Sequence, residues 1–389
     1  MGSEAGGVGI SFKRESINYI LSLIFICGWL LPKLNIGANV GVQELAAVLI
    51  LLYRYKISSQ ILSIMYADIC FAVLLLAYGV LYLLILADVE GFLIGVRTIL
   101  FVFASMSFSN YSLLILKKLL NVVIFITFLF VLWSVSRILL NIIFNSFDLN
   151  NFLYGSDSYR VRAPFQNGGA SSQVPIGYLL ALILCLPTVM DSRFKKIVFM
   201  LGAIGTTSRA SILSIALVYL RKIKLTKFSG FFTIVFISLI GLVMYLKSTS
   251  LNDGELDGSA SKRLELYSSS YSIMIEHPAA IFLGFGVSTS ALADSTGEGF
   301  YESFIINSLM QGGILLFIGS ILILLKTLYY DYKLKLHSIG VVVFFGNALG
   351  GSNYFSMFAY PLMVLIICYT IKDSTTKLNN ENSSFNNNN

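Results

Sequence analysis

The sequence predicts an all-α polytopic membrane protein with about ten to twelve transmembrane helices, and three observations carry that prediction. Of 389 residues, 56% are hydrophobic and 12% charged, about half the charged share of an ordinary soluble domain. The mean hydropathy of the whole chain is +0.80, which leaves no room for a large soluble domain. The apolar runs are long and uniform, unlike the alternating strands of a membrane barrel. In lipid, only a helix satisfies its backbone groups within such a segment.

The spans follow in order. The first apolar run, Ile17–Leu31, follows Lys13 and Arg14 and ends at Pro32 without a small-residue cleavage site. It therefore reads as a span and not as a removable signal. Further spans are predicted at Val42–Tyr53, Ala67–Ala87, Phe92–Phe108, Leu119–Val135, Val174–Met190, Phe228–Leu246 and Phe304–Leu325. The Gly-rich stretch Met1–Gly9 and the Asn-rich tail from Asn379 read as disordered. That leaves residues 1–378 as a single integral membrane domain and 379–389 as a tail.

Two regions do not read as clean spans. Ile197–Leu220 has basic clusters on both sides, Arg193/Lys195/Lys196 and Arg221/Lys222/Lys224, and a polar middle running Gly205-Thr206-Thr207-Ser208-Arg209-Ala210-Ser211. Two short helices meeting in a break, with Arg209 at the tip, reconcile both ends with one membrane face. A single span with a misplaced end is the plainer reading. Ile339–Ile371, interrupted at Gly346–Asn353, reads as two short spans joined by an external turn.

The net charge of +7 does not point to nucleic acid, because the Lys and Arg lie in short clusters between apolar runs. Eighteen of the 27 Lys and Arg fall on one set of connections, which the positive-inside rule makes cytoplasmic. Both termini are then cytoplasmic, and the two long polar loops, about 136–173 and 247–303, lie on the opposite face, which in a bacterium is the periplasm or the cell exterior. Cys27, Cys70, Cys185 and Cys368 all fall in apolar runs and read as small buried hydrophobes. With two histidines, His277 and His337, no His-rich metal centre is expected, and no cofactor.

Charged residues at membrane depth are functional hypotheses by default. Arg209 has no acid near it in sequence, so it is expected to meet an anion or, in the structural alternative, backbone carbonyls or a distant carboxylate. The first loop carries Arg160 and Arg162 ahead of Ala163-Pro164-Phe165-Gln166-Asn167, and guanidinium forks suit phosphate. The second carries Lys262-Arg263, Glu276-His277-Pro278 and Gly284-Phe285-Gly286, then Asp294, Glu298 and Glu302. Arginines there could hold a diphosphate while a carboxylate or His277 takes a proton from an attacking hydroxyl. The bland readings are a cap for His277, a solvated carboxylate for Glu302 and surface ion pairs for Lys262.

Three stretches carry a family resemblance. They are Arg162 with Pro164-Phe165-Gln166-Asn167, Thr207-Ser208-Arg209-Ala210-Ser211, and Ser261 to Gly286 continuing to Glu302-Ser303 and Gly312-Gly313. In order, spacing and sidedness they resemble the O-antigen polymerase and O-antigen ligase superfamily over roughly residues 159–313. The resemblance implies a C-type glycosyltransferase fold and a metal-independent, inverting transfer of glycan from undecaprenyl diphosphate at the periplasmic face of a bacterial inner membrane. The implied partners are undecaprenyl-diphosphate-linked oligosaccharide, membrane lipid and a chain-length regulator protein. Glu302-Ser303 stands where ligases commonly carry a histidine, which is polymerase-like. Ala163-Pro164 replaces the usual glycine, so either Arg160 or Arg162 is the family arginine.

On this reading Arg160 or Arg162, Arg209 and Arg263 bind the diphosphate, and Glu302 or His277 is the general base. A ligase acting on lipid A–core and a lipid-linked oligosaccharide flippase are the alternatives. A non-catalytic scaffold has no positive feature.

Overall fold

The computed structural model describes residues 5–30, 34–35, 39–53, 57–144, 161, 173–206, 212–216, 258–298, 303–334, 336, 339–348, 355 and 359–386. Helix α1 (Ala5–Cys27) ends in a 3-10 turn, Gly28–Leu30, and a two-residue antiparallel bridge pairs Leu34 with Val40 before α2 (Val42–Tyr53). A short α3 (Ser59–Ile64) leads into α4 (Tyr66–Leu86), α5 (Val89–Met106) and the long α6 (Leu113–Phe144). Then come α7 (Gln173–Leu184), α8 (Pro187–Met190) and α9 (Arg193–Gly205), followed by a helical stretch at residues 212–216. The last group is α10 (Gly258–Glu276), α11 (Ala280–Leu283), α12 (Thr289–Thr296), α13 (Phe304–Leu334), α14 (Ile339–Ala348) and α15 (Tyr360–Asn386).

Among the described residues, four helices are long and apolar enough to cross a membrane: Tyr66–Leu86, Val89–Asn110, Leu113–Phe144 and Phe304–Leu334. Their outward faces carry bare apolar side chains, including Leu84, Phe144 and Tyr332, each more than three-quarters exposed. Such patches are costly in water and ordinary against lipid. The protein is therefore a mostly helical membrane protein.

Inside this wall, residues 176–186 of α7 and its end and 359–368 at the start of α15 are buried on every side. A helix apolar all round belongs in the centre of a bundle. Pro361 sits in the first turn of α15, where its missing N–H costs nothing. The pair α4 and α5 is joined by the turn Ala87-Asp88, with Ala87 left-handed at φ 54°. Asp88 caps α5, accepting from Gly91 N at 2.9 Å. The two helices approach closely because Gly79, Gly91 and Gly95 line the seam. A Cβ on Gly79 would lie 2.8 Å from Gly91 O, and one on Gly95 2.7 Å from Leu76 Cα. Small residues are what let backbones meet in lipid.

Several expectations shift. The helix around Leu119–Val135 extends to Leu113–Phe144, because adding residues to a formed helix costs little. For the same reason α15 continues to Asn386 and α1 begins at Ala5, so helix reaches into both segments read as disordered. Cys70 is exposed on α4, while Cys27, Cys185 and Cys368 are buried. Around Arg209, α9 ends at Gly205 and helix resumes at 212–216. Residues 207–211 lie outside the described residues, as does the whole run Phe228–Leu246.

The largest change is in α13. The sequence reads as an unbroken span there, yet the backbone leaves the helix at Gly312 (φ −145°, ψ 25°) and Gly313 (φ 65°, ψ −155°). A non-helical backbone at membrane depth persists only where protein covers it.

Candidate functional site

The covering element comes from the second long loop. Helix α10 stops at Glu276 because Pro278 follows His277, and a proline restricts the residue before it to extended conformations. Next, α11 makes one turn and ends at Gly284 (φ 75°), whose N–H returns to Ala280 O at 2.7 Å. The chain then lies against the break in α13. Phe285 N donates to Met310 O at 2.7 Å, and Gln311 Nε2 donates to Val287 O at 2.7 Å. A Cβ on Gly284 would fall 2.4 Å from Gly312 N, and one on Gly313 would fall 2.5 Å from Ile281 O. Both glycines have positive φ and touch backbone, so neither position has space for a side chain.

From the other flank α4 supplies two hydroxyls. Tyr78 Oη donates to Phe282 O at 2.9 Å, and Tyr82 Oη donates to Leu283 O at 2.8 Å. These carbonyls end α11 and have no partner inside their own helix.

Beyond this hairpin the chain turns at Ser288, which caps α12 by accepting from Ala291 N at 3.0 Å. Its own N–H reaches the buried Asp88 Oδ2 at 3.3 Å. Glu90 accepts from Thr289 Oγ1 at 3.2 Å and from Ser290 Oγ at 3.0 Å. A cleft of about 360 Å³ opens here, walled by Leu86, Asp88, Glu90, Ser290, Asp294 and Ser295 among others. Carboxylates and hydroxyls side by side accept and donate to sugar hydroxyls. Among the described residues no group of three or more His, Cys, Asp or Glu is placed to hold a metal ion.

The two ends of the bundle differ in charge. At the end bearing the cleft stand Asp88, Glu90 and Asp294. At the opposite end Lys326 Nζ meets the fully buried Asp68 Oδ2 at 2.6 Å, and Tyr360 Oη lies 3.4 Å from the same oxygen. There Lys372 Nζ also donates to Tyr111 O, just before the α6 turn that carries Lys117 and Lys118. A second ion pair, Arg97 Nε to Glu44 Oε1 at 2.9 Å, ties α5 to α2.

Of the site residues expected from sequence, His277 is exposed at the end of α10, its ring edge-on to Phe285 with centroids 5.9 Å apart. Its N–H continues the helix to Ile273 O at 3.0 Å, so its backbone serves as a helix end. Arg263 lies in α10. Arg160, Arg162, Arg209 and Glu302 lie outside the described residues. Between the first two, Val161 is described and buried, and its N–H donates to Gly205 O at 2.9 Å. A Cβ on Gly205 would meet Val161 Cγ2 at 2.9 Å. The first loop is thus pinned, at the residue between its two arginines, to the last residue of α9, four positions before Arg209.

Asp88, Glu90, Gln311, Tyr78 and Tyr82 are absent from the sequence-based list. Asp88 had a local signal, an acid ahead of a helical run. The others sit inside or beside apolar spans and gain meaning only from partners about 200 residues away in the chain, or 24 for Gln311. No protein-family model matches this chain, and no curated protein matches it in sequence.

Proposed function

We propose that the protein is a surface-polysaccharide (O-antigen) polymerase. In this reading it transfers a growing glycan from undecaprenyl diphosphate to the hydroxyl of a lipid-linked repeat unit at the periplasmic face. The observation that carries the reading is the meeting of its sequence stretches. Residues 281–285 of the third stretch pack on its Gly312-Gly313, and Val161, between Arg160 and Arg162, is bonded to Gly205, four residues before Arg209. The lysine-rich end of the bundle supports a cytoplasmic assignment for that end, and with it an outer position for the cleft and hairpin, where a lipid diphosphate would present its head group.

The chemistry needs no metal ion on this reading. A leaving lipid diphosphate gains negative charge as the glycosidic bond breaks, and guanidinium groups stabilise that charge. Arg160 or Arg162, Arg209 and Arg263 are assigned to this role. Glu302 or His277 takes the proton from the acceptor hydroxyl, and a chain-length regulator is the expected protein partner.

Arg209→Ala and Arg162→Ala should abolish long-chain polymer while the protein still inserts, with lipopolysaccharide gels of complemented deletion strains as the readout. Core carrying a single repeat in the deletion strain supports a polymerase, whereas bare core supports a ligase. Normal ladders from both arginine variants would remove the diphosphate clamp.

The break in α13 favours one second reading, a lipid-linked oligosaccharide flippase, because interrupted spans also build transport sites. Extension of lipid-linked repeats by purified protein in detergent, with no energy source, separates the two. Product there excludes a pure transporter.

A further inference from the structure

The loop between α10 and α12 is apolar where it lies against α4 and α13. Residues 278–287 read Pro-Ala-Ala-Ile-Phe-Leu-Gly-Phe-Gly-Val, with no polar side chain. An apolar run of this length is too short to span and suits a re-entrant segment. Helix α4 gives the depth. Its 21 residues measure about 31 Å at 1.5 Å per residue, close to the hydrocarbon thickness of a bilayer.

Tyr82 lies four residues before the end of α4 and Tyr78 eight, so they stand about 6 and 12 Å below it. Their hydroxyls hold Leu283 O and Phe282 O. The break at Gly312 lies eight residues into α13, again about 12 Å from its start. Two independent helices therefore place the tip of the hairpin at the same level.

Backbone satisfaction gives the same answer. Helix-end carbonyls in water need no protein partner, while in hydrocarbon each must have one. Here the last two carbonyls of α11 each receive a tyrosine hydroxyl from a spanning helix. The side chains of this turn face outward all the same. Phe282 is 67% exposed and Leu283 46%, and near the same end of α4 Leu84 and Ile85 are 79% and 62% exposed. The hairpin turn thus bears exposed apolar side chains, as α4 does near the same end.

We infer that residues 278–287 form a re-entrant wedge in the half of the bilayer at the cleft end of the bundle, with Phe282 and Leu283 in contact with lipid acyl chains. The inference is independent of the reaction assigned above.

The test adds one indole at a time to the full chain as Phe282→Trp and, separately, Leu283→Trp. Each is reconstituted in phosphatidylcholine bilayers brominated along the acyl chain, and the emission of the unmodified protein, which holds Trp29 and Trp133, is subtracted. Both positions are exposed, so neither substitution disturbs the core. The added indole is expected to emit at short wavelength, to lose most of its emission to acyl bromine and to ignore aqueous iodide. Ser295→Trp, in the cleft, is expected to show the reverse. Quenching of both hairpin variants by iodide, with acyl bromine without effect, would make the segment an aqueous loop and overturn the wedge.

Discussion

The two ends of the α4–α13 pair are held by opposite means. At the lysine-rich end the contact is a charge pair, Asp68 with Lys326, with the Tyr360 hydroxyl alongside. At the cleft end it is shape and backbone: two tyrosine hydroxyls on carbonyls, and two glycines with no space for a Cβ. A charge pair fixes two helices at a point and tolerates adjustment around it. A glycine seam fixes a whole segment and tolerates none. The difference shows where the fold is most rigidly packed: on the face bearing the hairpin, where a spanning helix is broken to receive it.

That contrast can be broken at either end. The largest effect is expected from Lys326→Met, which leaves the fully buried Asp68 facing an apolar side chain. Removing one partner of a buried pair costs about 3–5 kcal/mol, read as a fall in the unfolding midpoint of purified protein. Asp68→Asn with Lys326→Met should recover much of the loss, and a double variant as weak as the single one would show that the pair acts through something other than charge.

Gly313→Ala comes next. Strain at positive φ costs about 1–3 kcal/mol, and the clash with Ile281 O adds to it. Its signature is regional, with faster proteolysis of residues 277–298 while the Asp68–Lys326 end keeps its protection. Uniform destabilisation instead would mean that the two ends unfold together.

Tyr82→Phe removes one hydroxyl from Leu283 O and should cost about 1 kcal/mol. Tyr78→Phe should do the same, and the two together should loosen the hairpin more than either alone, as measured by hydrogen exchange at residues 280–286. The smallest change is expected from Glu90→Gln. Glu90 is exposed and the amide keeps one acceptor for Thr289 or Ser290, so stability should move by less than about 0.5 kcal/mol. A larger drop would place more of the hairpin's anchoring in the α12 turn than in the glycine seam.

Legibility in the sequence followed the range of the cause. The bounds of Val42–Tyr53 were readable to the residue and those of Tyr66–Leu86 to within one, because an apolar run is a local property, but of these two helices the second alone is long enough to span. The stop of α10 at Pro278 was local too. The Gly312-Gly313 break was not readable. Two glycines in an apolar run are compatible with a continuous helix, and the residues that displace it, 281–285, lie about 30 positions earlier. Arg160, Arg162, Arg209, Arg263, Glu302 and His277 were chosen by residue type and placement, and among them the structure describes the side chain of His277. Asp88 was missed because a capping acid in a two-residue turn has an ordinary local explanation, and its contact with Ser288 spans 200 residues.

The sequence alone determined the solvent. Its apolar runs and low charge require lipid-facing helices, since no water is there to meet the backbone, and its lysines set which end of the bundle is basic. The tertiary structure decided which helix breaks and which loop enters. Whether a glycine pair stays helical depends on the free energy of the segment packed against it. That segment is brought there by contacts with α4 and α5 that no local pattern encodes.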